Sequence, residues 1–150
     1  MTDKLVLLDV NVPMYAAGRS HPYKEACTWI MTEIAEGRLA VAIDTQTIQE
    51  ILHRYGALHE WSTAVTMAAS LLELVSVVYS VHASDAHRTV HLFDRYASRG
   101  VKARDLIHVA VMQSNGIGEI VSTDRHFDDV KEVVRTDPIA IFEHSRLQRG

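Results

Sequence analysis

The chain has 150 residues, 47% hydrophobic and 23% charged, with a formal net charge of −4 and a pI near 6.1. That length suits one domain with a sizeable core, and the acidic balance argues against nucleic-acid binding by bulk electrostatics; a local site, with metal ions supplying positive charge, is the way such a chain would handle a polyanion. No run of about 18 apolar residues is present to span a bilayer, Met1–Lys4 opens no signal-peptide pattern, and the single Cys27 leaves no internal disulfide and suits a reducing cytoplasm.

In chain order, Lys4–Asp9 reads as a buried strand, an apolar run that leaves on a carboxylate. Pro13–Ala17 fits a short helix, with proline in its first turn. Gly18–Pro22 is a loop. Tyr23–Glu36 is amphipathic, with Ala26, Trp29, Ile30 and Ile34 on one face, and Gly37 ends it. Ala40–Ile43 is a second buried strand, leaving on Asp44. Two helices follow, Thr45–Tyr55, stopped by Gly56, and Glu60–Leu74. Val75–Val81 is a strand. Ser84 is expected to cap a helix running to Arg99, stopped by Gly100. Ala103–Ser114 is a helix, Glu119–Thr123 a strand leaving on Asp124, and Arg125–Val130 a short turn or helix. Glu132–Arg135 is a weak last strand, Ile139–Phe142 an extra edge, and Ser145–Gly150 a polar tail expected to fray. This alternation predicts an α/β fold, a mainly parallel sheet between helical layers.

In open α/β sheets the ligand crevice lies beyond the carboxyl ends of the strands. Asp9, Asp44 and Asp124 stand there, with Glu50 and Asp105 early on helices that start at the same edge. Clustered carboxylates need protons or cations to neutralise them. Oxygen-only donors suit Mg²⁺ or Mn²⁺ rather than zinc, and such a cluster is the arrangement used for metal-assisted phosphoryl chemistry. Taken singly, each acid has a plainer reading. Asp9 is as well placed to cap the next helix, and capping is favoured for Asp44. Glu50 is spaced to pair with Arg54, Asp105 suits a helix first turn, and Asp128 and Asp129 read as solvated.

Order, spacing and placement together carry more. "LLDVNVPMY" with Asp9 and Asn11, "TQTIQEILHR" with Glu50, "ARDLIHVAVM" with Asp105, and "EIVSTDRHFDDV" with Ser122, Asp124 and Phe127 give the chain a resemblance to PIN-domain ribonucleases, and among them to the VapC toxins of toxin–antitoxin pairs. It covers Leu5 to about Ile141. The resemblance implies a three-layer α/β/α sandwich and a single PIN domain. It implies a catalytic divalent-metal site of Asp9, Glu50, Asp105 and Asp124, with Asn11 and Ser122 beside it and Asp128 as a candidate to share the fourth acid's role. It implies a cytoplasmic Mg²⁺- or Mn²⁺-dependent endoribonuclease, a homodimer silenced by a cognate antitoxin protein. Lys102 and Arg104 are the best candidates to contact RNA phosphates. A partner segment is expected in a groove near Glu50, placing a basic residue in the acidic cluster; Tyr15, Leu58 and Trp61 could line such a groove but read more simply as core.

The remaining signals point elsewhere or nowhere. His87 and His91 read as an exposed helix face, His108 as a packed or hydrogen-bonded residue, and Cys27 as core. "HEWST" lacks the second histidine of a zinc-protease motif, and no phosphate-binding glycine loop is present. A haloacid-dehalogenase-type phosphatase wants an acid where Asn11 stands. A phospho-receiver wants an Asp where His82 follows the middle strand. The alternative that remains is a catalytically silent PIN fold, kept as an RNA- or protein-binding module.

Overall fold

The structure, a computed structural model, describes residues 4–149; the signal-peptide reading of Met1–Lys4 falls largely outside them. Five strands form one sheet in the order β3-β2-β1-β4-β5: β1 (Val6–Leu8), β2 (Val41–Asp44), β3 (Val77–Tyr79), β4 (Glu119–Val121) and β5 (Val134–Thr136). Every neighbouring pair is parallel. The helices are α1 (Asn11–Ala17), α2 (Lys24–Ala35), α3 (Thr45–Ala57), α4 (Trp61–Leu74), α5 (Ala83–Tyr96), α6 (Ala103–Ser114) and α7 (Pro138–Arg149), with 3-10 turns at Ala97–Arg99 and Arg125–Asp129.

The two faces of the sheet follow the period of two along each strand. Val6, Leu8, Val41, Ile43 and Val121 pack with Val12, Cys27, Ile30, Ile51 and Leu71 from α1–α4. Leu7, Ala42 and Ile120 point the other way, into Leu92, Tyr96, Leu106 and Val109 from α5 and α6. Strands covered on both faces read as continuous apolar runs, which is why β1 and β2 are legible in the sequence. The result is the expected three-layer α/β/α sandwich around a parallel sheet. Gly37 (φ 76°) closes α2 in the left-handed conformation, which costs a residue without Cβ nothing.

Several elements differ from expectation. Ile139–Phe142 is no edge strand but the first half of α7. Pro138 opens that helix, and Asp137 Oδ1 accepts the Ile139 N–H at 2.8 Å. A short apolar run does not by itself separate a strand from a helix turn. The tail expected to fray is helical through Arg149, which is tied back by Arg149–Glu33 at 3.6 Å and by the Trp29–Phe142 ring contact. Helix α5 starts before Ser84: His82 is its N-cap, and Asp85 Oδ2 accepts the His82 N–H at 2.9 Å. Gly56 lies inside α3, and His59 (φ 58°) makes the left-handed turn instead. Leu58 and Trp61 are 65% and 66% exposed, so they are not core. Cys27 is buried, and His87 and His91 are exposed, as their patterning implied.

Candidate active site

Strand β1 pairs with β2 on one side and β4 on the other, so the chain reverses its direction of travel across the sheet between β1 and β4. That is the switch point at which a crevice opens beyond the strand ends. Asp9 leaves β1 there, and Ser122 and Asp124 leave β4. The Asp9 N–H is bonded to Val121 O at 3.0 Å, which fixes the two exits side by side.

Asp9 does not cap α1, whose N-cap is Val10. Its Oδ1 accepts the Val10 N–H at 2.8 Å, and its Oδ2 accepts from Ser122 Oγ at 2.6 Å and Asn11 Nδ2 at 3.1 Å. Asn11 Nδ2 also lies 3.3 Å from Ser122 Oγ, and Asn11 Oδ1 accepts the Thr123 N–H at 3.3 Å. Asn11 and Ser122 therefore stand beside Asp9. Burial pushes the Asp9 carboxyl above its ordinary range; the charge on His108 and the Ser122 hydroxyl work against that rise.

Asp105 sits in the first turn of α6, where the helix dipole favours a carboxylate. It is buried, and its pKa is raised to about 6, first by burial and then by the charges of Asp9 and Asp124. Asp105 therefore feels the charges of both other carboxylates. Asp124 is half-buried and accepts from the His126 backbone N–H, with His126 Nδ1 2.9 Å from the same oxygen. Lys102 and Arg104 flank Asp105 at the surface, and among the described residues neither forms an ion pair. The charge of Arg104 draws the Asp105 pKa down.

Glu50 is buried and does not turn to Arg54. Its Oε1 lies 2.5 Å from His108 Nε2, and His108 Nδ1 lies 2.6 Å from Asp44 Oδ2. Asp44 is the N-cap of α3 as well, with Oδ1 accepting the Thr47 N–H at 3.1 Å. Capping, the favoured reading of Asp44, is thus one of two tasks. A neutral imidazole has only one N–H, and two carboxylates ask for two. Burial disfavours the charged ring, but the ring's hydrogen bonds to the accepting carboxylates of Asp44 and Glu50 overcome it and hold the His108 pKa well above 6.5. His108 therefore lies between two buried carboxylates, with one ring nitrogen facing each. A signal for it was present: three residues after Asp105 on a helix, it shares that residue's face.

Asp128 stands apart from the cluster. Its two oxygens accept from Arg135 Nε and Nη2 at 2.9 and 3.2 Å, and Arg135 Nη1 donates to Ser122 O and Asp137 Oδ2.

Among the described residues, no three His, Cys, Asp or Glu side chains converge into a preformed cage for an ion. The donors nonetheless fit a hydrated Mg²⁺ or Mn²⁺ in their chemistry. They are all oxygens, they are partly dehydrated, and Asp9 and Asp124 raise the pKa of Asp105 by repulsion that a cation would relieve. Such an ion keeps several waters and needs only one or two direct carboxylates.

The PIN domain family model matches residues 6–133. The chain belongs to the PIN-domain family. Ribonuclease VapC13 of Mycobacterium tuberculosis is 30% identical over 131 residues, covering 87% of this chain and 98% of that protein. Ribonuclease VapC7 of the same organism is 30% identical over 137 residues, covering 91% and 93%. Among solved structures, Mycobacterium tuberculosis VapC20, a sarcin–ricin-loop-cleaving toxin, superposes with a TM-score of 0.70 at 17% identity, over 84% of this chain and 95% of that one. DNA-bound VapBC from Salmonella typhimurium does so with a TM-score of 0.68 at 15% identity, over 90% and 98%. These two likenesses are of fold. In this PIN domain the Asp9, Ser122 and Asp124 group lies at the switch point of the sheet, and no helix among the described residues is long and apolar enough to cross a membrane.

Proposed function

We propose that this chain is a single PIN domain acting as a cytoplasmic Mg²⁺- or Mn²⁺-dependent endoribonuclease, the toxin of a toxin–antitoxin pair. The observation that carries the reading is the acidic group at the sheet's switch point, buried Asp9 and Asp105 with half-buried Asp124, in which Asp105 feels the charges of the other two, in a chain whose curated relatives are named ribonucleases.

Asp9, Glu50, Asp105 and Asp124 would hold the ion or ions. Bound there, a divalent cation supplies charge neutralisation and acidifies an attacking water. The chain's own residues do the rest. Ser122 and Asn11 fix the rotamer of Asp9 by two donated hydrogen bonds. Lys102 and Arg104, exposed and next to Asp105, meet the phosphates flanking the scissile bond. Asp128, committed to Arg135, supports the loop that carries Asp124 rather than sharing its role.

The partner reading has support of its own. The similar Salmonella typhimurium structure is a VapBC assembly, and so is that of Rickettsia felis VapBC2. An open groove of about 510 Å³ lies between α1, α2 and α4, lined by Pro13, Ala16, Met31, Met67, Leu71 and Leu74 among others. It suits an apolar antitoxin segment; Glu50 does not line it, so a basic residue reaching the acids would extend beyond the groove. The exposed side chains of Leu58, Trp61 and Val65 support a homodimer that would cover them.

The test is cleavage of mixed RNA by purified, partner-free protein with Mg²⁺, with Mn²⁺ and with EDTA, beside Asp9→Asn. Cutting by the parent with metal, and none by the variant or in EDTA, is the expected result. Equal cutting by both proteins would refute the assignment of the site, and no cutting on any RNA class would favour a silent binding module.

A further inference from the structure

The proposed chemistry uses Glu50 but gives no task to Asp44 or His108. Both are almost wholly buried, at 0% and 2% exposure, and neither belongs to the two apolar clusters that form the core. Burying two carboxylates and an imidazole is costly unless their polar atoms are paired. Here every polar atom of Asp44 and His108 is paired: Asp44 Oδ1 takes the Thr47 N–H, Asp44 Oδ2 faces His108 Nδ1, and His108 Nε2 faces Glu50 Oε1. The chain of contacts crosses the sheet. It begins at the end of β2, passes through α6 on one layer and ends on α3 of the other. Glu50 Oε2, in contrast, accepts no hydrogen bond among the described residues.

The geometry points to His108, anchored by Asp44, as a positioning residue that holds Glu50 by Oε1 and leaves Oε2 free for a divalent cation. This inference rests on the metal-dependent reading above. Groups that hold a metal's ligand in place are commonly worth 10- to 100-fold in metal affinity. A rival explanation is that the trio merely clamps α3 to α6.

The two explanations separate through the choice of amide at position 108. An Asn amide stands near the position of Nδ1 and keeps the Asp44 contact; a Gln amide reaches the position of Nε2 and keeps the Glu50 contact. Both remove the imidazole and keep one of its two contacts. A clamp predicts that they behave alike. Positioning predicts that His108→Asn weakens Mn²⁺ binding by roughly tenfold or more, while His108→Gln stays within about threefold of the parent.

The experiment is Mn²⁺ titration of the full-length, metal-stripped protein followed by electron paramagnetic resonance, with no RNA present and with thermal unfolding of each variant alongside. Asp9→Asn is the control for the site itself. Parent binding that Asp9→Asn abolishes, with the Asn and Gln variants split as stated, supports the inference. Equal affinities for the Asn and Gln variants overturn it while leaving the metal site standing. A parent that binds no Mn²⁺ above the Asp9→Asn background overturns both. If the His108 variants do not fold, Asp44→Ser decides: serine still caps α3 but is too short to reach His108. Mn²⁺ affinity unchanged in Asp44→Ser overturns the inference, and a loss, smaller than that predicted for His108→Asn because the Glu50 contact remains, supports it.

Discussion

The Ser122 hydroxyl donates to Asp9 Oδ2 at 2.6 Å, across 113 positions of sequence, and in turn accepts the Asp124 N–H at 3.0 Å. One small buried side chain thus orients the acid after β1 and the backbone of the acid after β4. Ser122→Ala leaves that N–H without its acceptor and takes a donor from a buried carboxylate. The expected cost is about 1–3 kcal/mol of stability, read by urea denaturation. A variant as stable as the parent would mean that the pair contributes nothing to the metal-free fold.

Asp105 should trade stability for charge. Its pKa in the folded chain, about 6, exceeds the ordinary carboxylate value, so the folded state binds this proton more tightly than the unfolded state does. The stability it contributes is complete below about pH 4 and is lost as pH rises through 6. In EDTA, Asp105→Asn should therefore be the more stable protein at about pH 8, by on the order of 2–3 kcal/mol at 1.36 kcal/mol per unit. That advantage should vanish as the pH approaches about 4. A stability difference independent of pH would contradict the crowding of this carboxylate.

Arg135 and Asp128 should separate structure from catalysis. Arg135 is nearly buried and binds Asp128, Asp137 and the Ser122 carbonyl, so Arg135→Ala should cost about 1–3 kcal/mol in thermal or urea unfolding. Asp128 is half exposed, and Asp128→Asn should cost under about 1 kcal/mol. RNA cleavage by Asp128→Asn should stay within a few-fold of the parent. A collapse of cleavage in a variant that folds normally would return Asp128 to the site.

Helix α3 offers a contrast between its buried face and the exposed surface that follows it. Ile51 is fully buried, and Ile51→Ala should destabilise by about 2–5 kcal/mol. Trp61→Ser and Leu58→Ser remove side chains at least as large from solvent-facing positions and should stay within about 0.5 kcal/mol in dilute solution. A large loss at Trp61 that depends on protein concentration would show that a second copy already covers it.

What the sequence determined by itself is what local chemistry writes plainly. Strands covered on both faces must be continuous apolar runs, so β1 and β2 are readable, and their exits on Asp9 and Asp44 are readable with them. Helical periodicity gave α2, α4 and α6, and the order of Asp9, Glu50, Asp105 and Asp124 gave the family. Where a segment's local preference is balanced, tertiary contacts chose: Ile139–Phe142 is helical because Asp137 caps it and Trp29 packs on Phe142. The direction of each acidic side chain was also decided only in three dimensions. Glu50 turns from Arg54, four residues away, to His108, 58 residues away, because a buried carboxylate must find a donor and α6 brings one across the end of β2. Asp128 turns from the acids to Arg135 because that nearly buried guanidinium needs acceptors and the fold brings it within reach. Spacing along the chain tells which faces residues share; which buried charges meet depends on how the layers close over the sheet's edge.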